Sequence, residues 1–117
     1  MTIDRFQPGA RMSQAVRHGH TVYLAGQVAA DYNGSIEKQT GEVLAAIDRL
    51  LAEAGTDKSH VLSCQVILNN IADFAAMNTV YDAWIDPANP PARACIEARL
   101  AHPSLKVEII AVAAMPE

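Results

Sequence analysis

The 117-residue sequence holds only two cysteines, Cys64 and Cys95. They are too few and too far apart for a zinc ribbon or a CxxC redox pair, so both read as reduced thiols. Four histidines, His18, His20, His60 and His102, make no HExxH motif and no His/Cys cluster, and no metal site is expected. No apolar run approaches the roughly 18 residues of a membrane-spanning helix, and "MTIDRFQPGA" lacks the basic-then-apolar order of a secretory signal. The default expectation is a cytoplasmic protein with no membrane partner. Basic residues are also scarce: nine Lys and Arg against thirteen Asp and Glu leave a formal charge of −4. The nine are scattered, whereas phosphate neutralisation needs them clustered, so no nucleic-acid partner is expected. Neither a GxSxG elbow nor a GxGxxG or GxxxxGK[ST] loop occurs, which removes the usual serine-hydrolase and nucleotide signatures.

What is present is material for a core. Half the residues are apolar and only 19% are charged, which suits one globular domain over residues 1–117 rather than a disordered chain. "SQAVRHGHTVYLAG" reads as a hairpin from Ser13 to Gly26 around a His-Gly turn. Ser35 then caps a helix of about 18 residues whose apolar positions Val43, Leu44, Ile47, Leu50, Leu51 and Ala54 recur at three and four spacing up to Gly55. In "HVLSCQVILN", Leu62, Cys64, Val66 and Leu68 share one face and Val61 and Ile67 the other, the mark of a strand apolar on both sides.

A second helix opens near Asp73, carries Phe74, Met77, Val80, Tyr81 and Trp84 at helical spacing, and stops at the "DPANPP" break. That aromatic and methionine stripe reads as core. Two strands, "ARACIEARL" and "LKVEIIAVAA", finish the chain. The order is strand, strand, strand, helix, strand, helix, strand, strand: an α+β pattern with one mixed sheet and two helices on one of its faces. The last strand sets Ile110, Val112 and Ala114 opposite Val107, Ile109, Ala111 and Ala113. An apolar sheet face with no helix of its own should be covered by a second subunit, so a homo-oligomer is expected.

Three polar residues interrupt this pattern. Arg93 stands behind Pro90 and Pro91, a stiff approach that fixes its backbone, and a fixed guanidinium fork suits a small carboxylate as ligand. It also suits a solvated face shared with Cys95, Glu97 and Arg99. Glu108 shares the face of Ile110 and Val112, where a carboxylate is partly desolvated. It is a candidate for handling a proton or orienting a water, or pairs with Lys106 or Arg99 at the rim.

"SQAVRHGHTVYLAGQVA", "DFAAMNTVYDAWI" and "PPARACIEARL" followed by "LKVEIIAVAA" resemble the RidA/YjgF/UK114 family of reactive-intermediate deaminases over nearly the whole chain, the second helix being most similar to the YoaB branch. The resemblance implies a chorismate-mutase-like α+β fold assembled as a homotrimer, with ligand pockets between subunits. It implies enamine/imine deaminase activity, the hydrolysis of 2-imino acids to 2-keto acids and ammonia, with no metal or organic cofactor. By the same resemblance Arg93 clamps the substrate carboxylate and Glu108 holds or activates the attacking water. Cys95 and Gly26 line the pocket. Met12 stands where the active branch commonly has a tyrosine ("ARMSQAV" for "GPYSQAV"), which bears on rate and substrate range and suits a more apolar site. A module that binds a keto acid or amino-acid-derived carboxylate without turning it over is the alternative reading.

Overall fold

A computed structural model describes residues 1–117. Four strands precede the first helix: β1 (Ile3–Phe6), β2 (Ala15–His18), β3 (Thr21–Leu24) and the short β4 (Gln27–Val28). Helix α1 (Ile36–Ala54) leads to β5 (Val61–Leu68), α2 (Phe74–Trp84), β6 (Ala92–Glu97) and β7 (Val107–Ala114). The sheet runs β1-β2-β3-β7-β5-β6, with β4 also on β7. All pairings are antiparallel except β5 with β6, the parallel pair that α2 connects. The expected mixed sheet with two helices is therefore the observed architecture. β1 escapes the sequence pattern because its four residues alternate between exposed and half-buried, none is fully buried, and only Phe6 packs against the core. No helix is long and apolar enough to cross a membrane.

Both ends of α1 follow from local chemistry. The Ser35 Oγ accepts from Lys38 N–H at 3.1 Å, satisfying a free donor of the first turn. At the other end Gly55 takes φ 96° and Thr56 N–H reaches the Leu51 carbonyl at 2.9 Å, the left-handed exit that glycine permits. Between the caps, Val43, Leu44, Ile47 and Leu51 are each at most 2% exposed and pack on the sheet. Their sheet partners include Val107, Ile109, Ala111 and Ala113, all at 0% exposure. The intervening residues of β7 are only half-buried, so one face carries both helices and the other lies open.

Two features correct the sequence reading of faces. A register shift between Val61 and Ser63 puts an irregularity into β5. Val61 is thereby buried and Leu62 turned out at 52% exposure, opposite to the strict alternation expected for them. Gln39, a polar residue inside the apolar stripe of α1, is fully buried. Its Nε2 donates to the carbonyls of Gly34 and Ser104, each at 3.1 Å, and its Oε1 accepts from Lys106 N–H at 2.9 Å. One side chain thus ties the turn before α1 to the loop that feeds β7. It fixes where β7, and Glu108 on it, begins.

Candidate functional site

Strand pairing resolves the open face into rows. Tyr23, Val112, Ser63 and Ala92 stand across neighbouring strands in one row, Ile110, Gln65 and Ala94 in the next, and Glu108, Ile67 and Ile96 in a third. Tyr23 and Ile96 are 51% and 44% exposed. A shallow depression of about 420 Å3 lies on this face, walled by Ser63, Gln65, Ala92, Ala94, Ile110 and Val112, and Cys64 and Arg93, whose rows belong to the other face, also contribute to its lining. The helix-covered face has rows of its own: Ala111, Cys64 and Arg93; Ile109, Val66 and Cys95; Val107, Leu68 and Glu97.

Arg93 and Cys95 therefore project from β6 toward α2, not onto the open face. β6 is the last strand of the sheet, so Arg93 ends its row at the rim, exposed to solvent. Its Nη1 donates to Asn78 Oδ1 at 2.7 Å. Its guanidinium carbon lies 4.6 Å from the centre of the Tyr81 ring and 5.8 Å from that of Phe74. No ion pair of the chain includes Arg93; the three that form are Arg17–Asp4, Lys38–Asp31 and His60–Asp57. The Nε–Nη2 edge, the side of the fork that takes a carboxylate with two parallel hydrogen bonds, has no partner in the chain.

Cys95 is half-buried against the core. Burial pushes its thiol up, while the Arg93 guanidinium pulls weakly the other way. For the deeper Cys64 the same balance gives a thiol pushed up to about 11. Neither is a thiolate at neutral pH, so neither is an activated nucleophile. The native protein should accordingly react with iodoacetamide at pH 7 much more slowly than the urea-unfolded chain, with the rate rising as pH approaches 9 and above. Rapid labelling of one native thiol at pH 7 would contradict this environment.

Gly26 and Glu108 form a second cluster. β3 and β4 lie along the same side of β7, Tyr23 paired with Val112 and Gln27 with Ile109, and Gly26 sits in the interruption between them. A Cβ on Gly26 would overlap the Glu108 carboxylate. Only glycine lets that carboxylate lie so close to the backbone, and its glycine signature is this approach rather than an unusual φ. Glu108 is half-buried on the open face and enters no ion pair. Met12, 50% exposed, lies on the β1–β2 loop; that loop returns to the sheet where the Gln14 carbonyl accepts from Ala25 N–H at 2.9 Å.

The chain thus pairs Arg93 with Cys95 and Gly26 with Glu108, but keeps the two pairs apart. Arg93 and Glu108 are on opposite faces, two strands and three residues removed, a separation of about 14 Å from ordinary strand spacing. The sequence reading missed Asn78 altogether; its assignment of Phe74 and Tyr81 to the core holds for Tyr81, a member of the core cluster, but not for Phe74, which is 41% exposed. Their spacing of four and three residues, which sets all three on one side of α2, was the available signal. Glu97, expected on a solvated face, accepts from Ile71 N–H at 2.8 Å and so ties β6 to the turn that starts α2.

An α+β domain with this sheet order and a free arginine on its edge strand defines a class that comparison identifies. The chain belongs to the YjgF/RidA family: the family model described as "Endoribonuclease L-PSP" matches residues 2–115. A RutC family protein of Haemophilus influenzae is 44% identical over 114 residues, covering 97% of this chain and 98% of the relative. The RutC family protein YoaB of Escherichia coli is 40% identical over 115 residues, covering 98% and 100%. The crystal structure of a YjgF-family protein from Neisseria meningitidis superposes with a TM-score of 0.97 at 44% identity, covering 100% of this chain and 98% of that one.

Proposed function

We propose that this chain is an enamine/imine deaminase that hydrolyses small 2-imino acids, of the 2-iminobutanoate and 2-iminopropanoate type, to 2-keto acids and ammonia. It works as a homotrimer with its sites between subunits. The observation that carries this reading is the unpaired guanidinium of Arg93, held over two aromatic rings at the sheet edge with one face of its fork free. A cation so placed is matched by a small carboxylate. The charge of −4 and the scattered basic residues supply no track for a polyphosphate, which favours imine chemistry over the RNA cleavage named in the family description.

The chemistry asks little of the protein. In a protonated 2-imino acid the C2 carbon is already electrophilic. A water oxygen adds to it and one proton of that water passes to nitrogen. The C–N bond of this carbinolamine then breaks as its hydroxyl loses the second proton and the C=O bond forms, and the released ammonia takes up that proton as ammonium. Arg93 holds the carboxylate, and Glu108 positions the water and carries the proton between oxygen and nitrogen. Cys95 lines the pocket with its thiol protonated, and Gly26 lets the carboxylate and ligand approach the backbone. Positioning and proton transfer of this kind contribute on the order of 10² to 10⁴ in rate. With Met12 in place of a hydroxyl-bearing side chain, the proposed site is more apolar and suits longer imino acids.

The separation of Arg93 from Glu108 supports a site built by two chains, because no small imino acid spans about 14 Å across a sheet. The open, partly apolar face is the surface that a neighbouring copy would cover. The test is the fate of 2-iminobutanoate generated in situ by an amino-acid oxidase with semicarbazide as competing trap. The protein should raise keto-acid formation and suppress the semicarbazone in proportion to its concentration. Unchanged partitioning at every concentration would refute the deaminase and leave the carboxylate-binding module as the reading.

A further inference from the structure

The geometry points to Asn78 as the positioning residue for Arg93, one that fixes the guanidinium without neutralising it. This rests on the proposed role of Arg93 as carboxylate anchor. Asn78 lies midway along α2, with Phe74 a turn before it and Tyr81 a turn after, all on the side of the helix that meets the rim of β6. The Tyr81 and Phe74 rings offer their faces to the cation, an attraction that holds the charge in place but leaves the direction of its N–H groups free. The bond from Nη1 to Asn78 Oδ1, at 2.7 Å, removes that freedom. It also selects which edge of the fork stays open.

The chemical identity of the acceptor matters as much as its place. A carboxylate at position 78 would make a stronger bond to Nη1, but it would cancel the charge that a substrate carboxylate needs and repel that carboxylate directly. An amide oxygen supplies the direction of the bond without the opposing charge. The nearest acid on the same face of β6, Glu97, is spent on Ile71 N–H, so the cation is left uncompensated in the chain. Asn78 does not touch the reacting atoms; it acts through Arg93, and its effect should fall on binding.

The experiment compares the parent with Asn78→Ala and Asn78→Asp, with 2-oxobutanoate as probe in titration calorimetry and 2-iminobutanoate in steady-state kinetics. For Asn78→Ala the expected result is an affinity about ten-fold weaker, the scale of one charge-assisted hydrogen bond, with KM raised by a similar factor and kcat nearly unchanged. Asn78→Asp retains the bond and the shape of the side chain, yet should bind 2-oxobutanoate more weakly than Asn78→Ala. A purely structural role would make the aspartate as good as the asparagine, so parental affinity in Asn78→Asp overturns the inference, as does parental affinity in Asn78→Ala. Failure of the parent itself to bind 2-oxobutanoate overturns the anchor reading, and the assignment of Asn78 falls with it.

Discussion

Arg93→Ala should abolish imine hydrolysis and keto-acid binding together. The substitution removes both hydrogen bonds that the free edge of the fork offers a carboxylate, and with them a charge that enters no ion pair in the chain. Charge-assisted bonds contribute about 1.5–3 kcal/mol each, so the loss of two corresponds to roughly 10² to 10⁴ in affinity for a carboxylate. Turnover falls at least as far, because a substrate that is not held by its carboxylate does not present C2 to the water. The fold should be indifferent: Arg93 is exposed and lies outside the core cluster, so the thermal midpoint stays near that of the parent. Arg93→Lys separates charge from geometry. It restores a cation without the planar fork or the stacking on Tyr81, and should recover only a small part of the affinity. Calorimetric titration with 2-oxobutanoate, beside the imine assay, reads all three proteins. Parental affinity in Arg93→Ala would remove Arg93 from the site.

Much of the fold was legible because its signals are local. Ser35 and Gly55 mark the ends of α1 by capping chemistry, and the alternation in "VEIIAVAA" separates the covered face of β7 from the open one before any partner strand is known. Two elements lacked such signals. β1 is held by its pairing with β2 and by the Arg17–Asp4 contact at 2.8 Å, both long-range, and its four residues carry little apolar weight. The irregularity at Leu62 belongs to the pairing of β5 with β7, so nothing in the residues Val61 and Leu62 alone announces which of them turns inward.

The residues of the proposed site could be named from the sequence, but their geometry could not. Arg93, Cys95, Gly26, Glu108 and Met12 could all be named from motifs, and the period of the strands correctly placed Arg93 beside Cys95 and Glu108 beside Ile110. Which face of the sheet Arg93 joins depends on its pairing with Cys64, and Cys64 faces the helices. Alternation within a strand cannot supply that. The role of Asn78 was hidden for a related reason: a polar residue among Phe74, Met77 and Tyr81 looks like the solvated edge of a core stripe until the facing strand is known to bring a guanidinium to it.

If each site is shared between subunits as proposed, a mixture of two inactive variants should regain activity, because Arg93 and Glu108 lie on opposite faces of one chain. Glu108→Ala alone should lower turnover by about 10² to 10⁴ while leaving 2-oxobutanoate affinity near parental, since the anchor is intact and only proton handling is lost. Arg93→Ala should be inactive for the other reason, the loss of the anchor. If each site takes Arg93 from one subunit and Glu108 from the next, a ring containing both variants has one interface at which an intact Arg93 meets an intact Glu108. In a trimer formed by random reassociation of equal amounts, three rings in four are mixed and each has one such interface in three, so about a quarter of parental activity should return. Unfolding the two variants together, refolding and assaying the mixture measures this, with the double variant Arg93→Ala, Glu108→Ala in the same protocol as the control. Light scattering on the refolded material should give a mass of three 12.6 kDa chains. Recovery near a quarter places the two residues on different subunits of one site. No recovery from a properly reassembled trimer would mean that one chain supplies both groups, against the roughly 14 Å that the sheet puts between them.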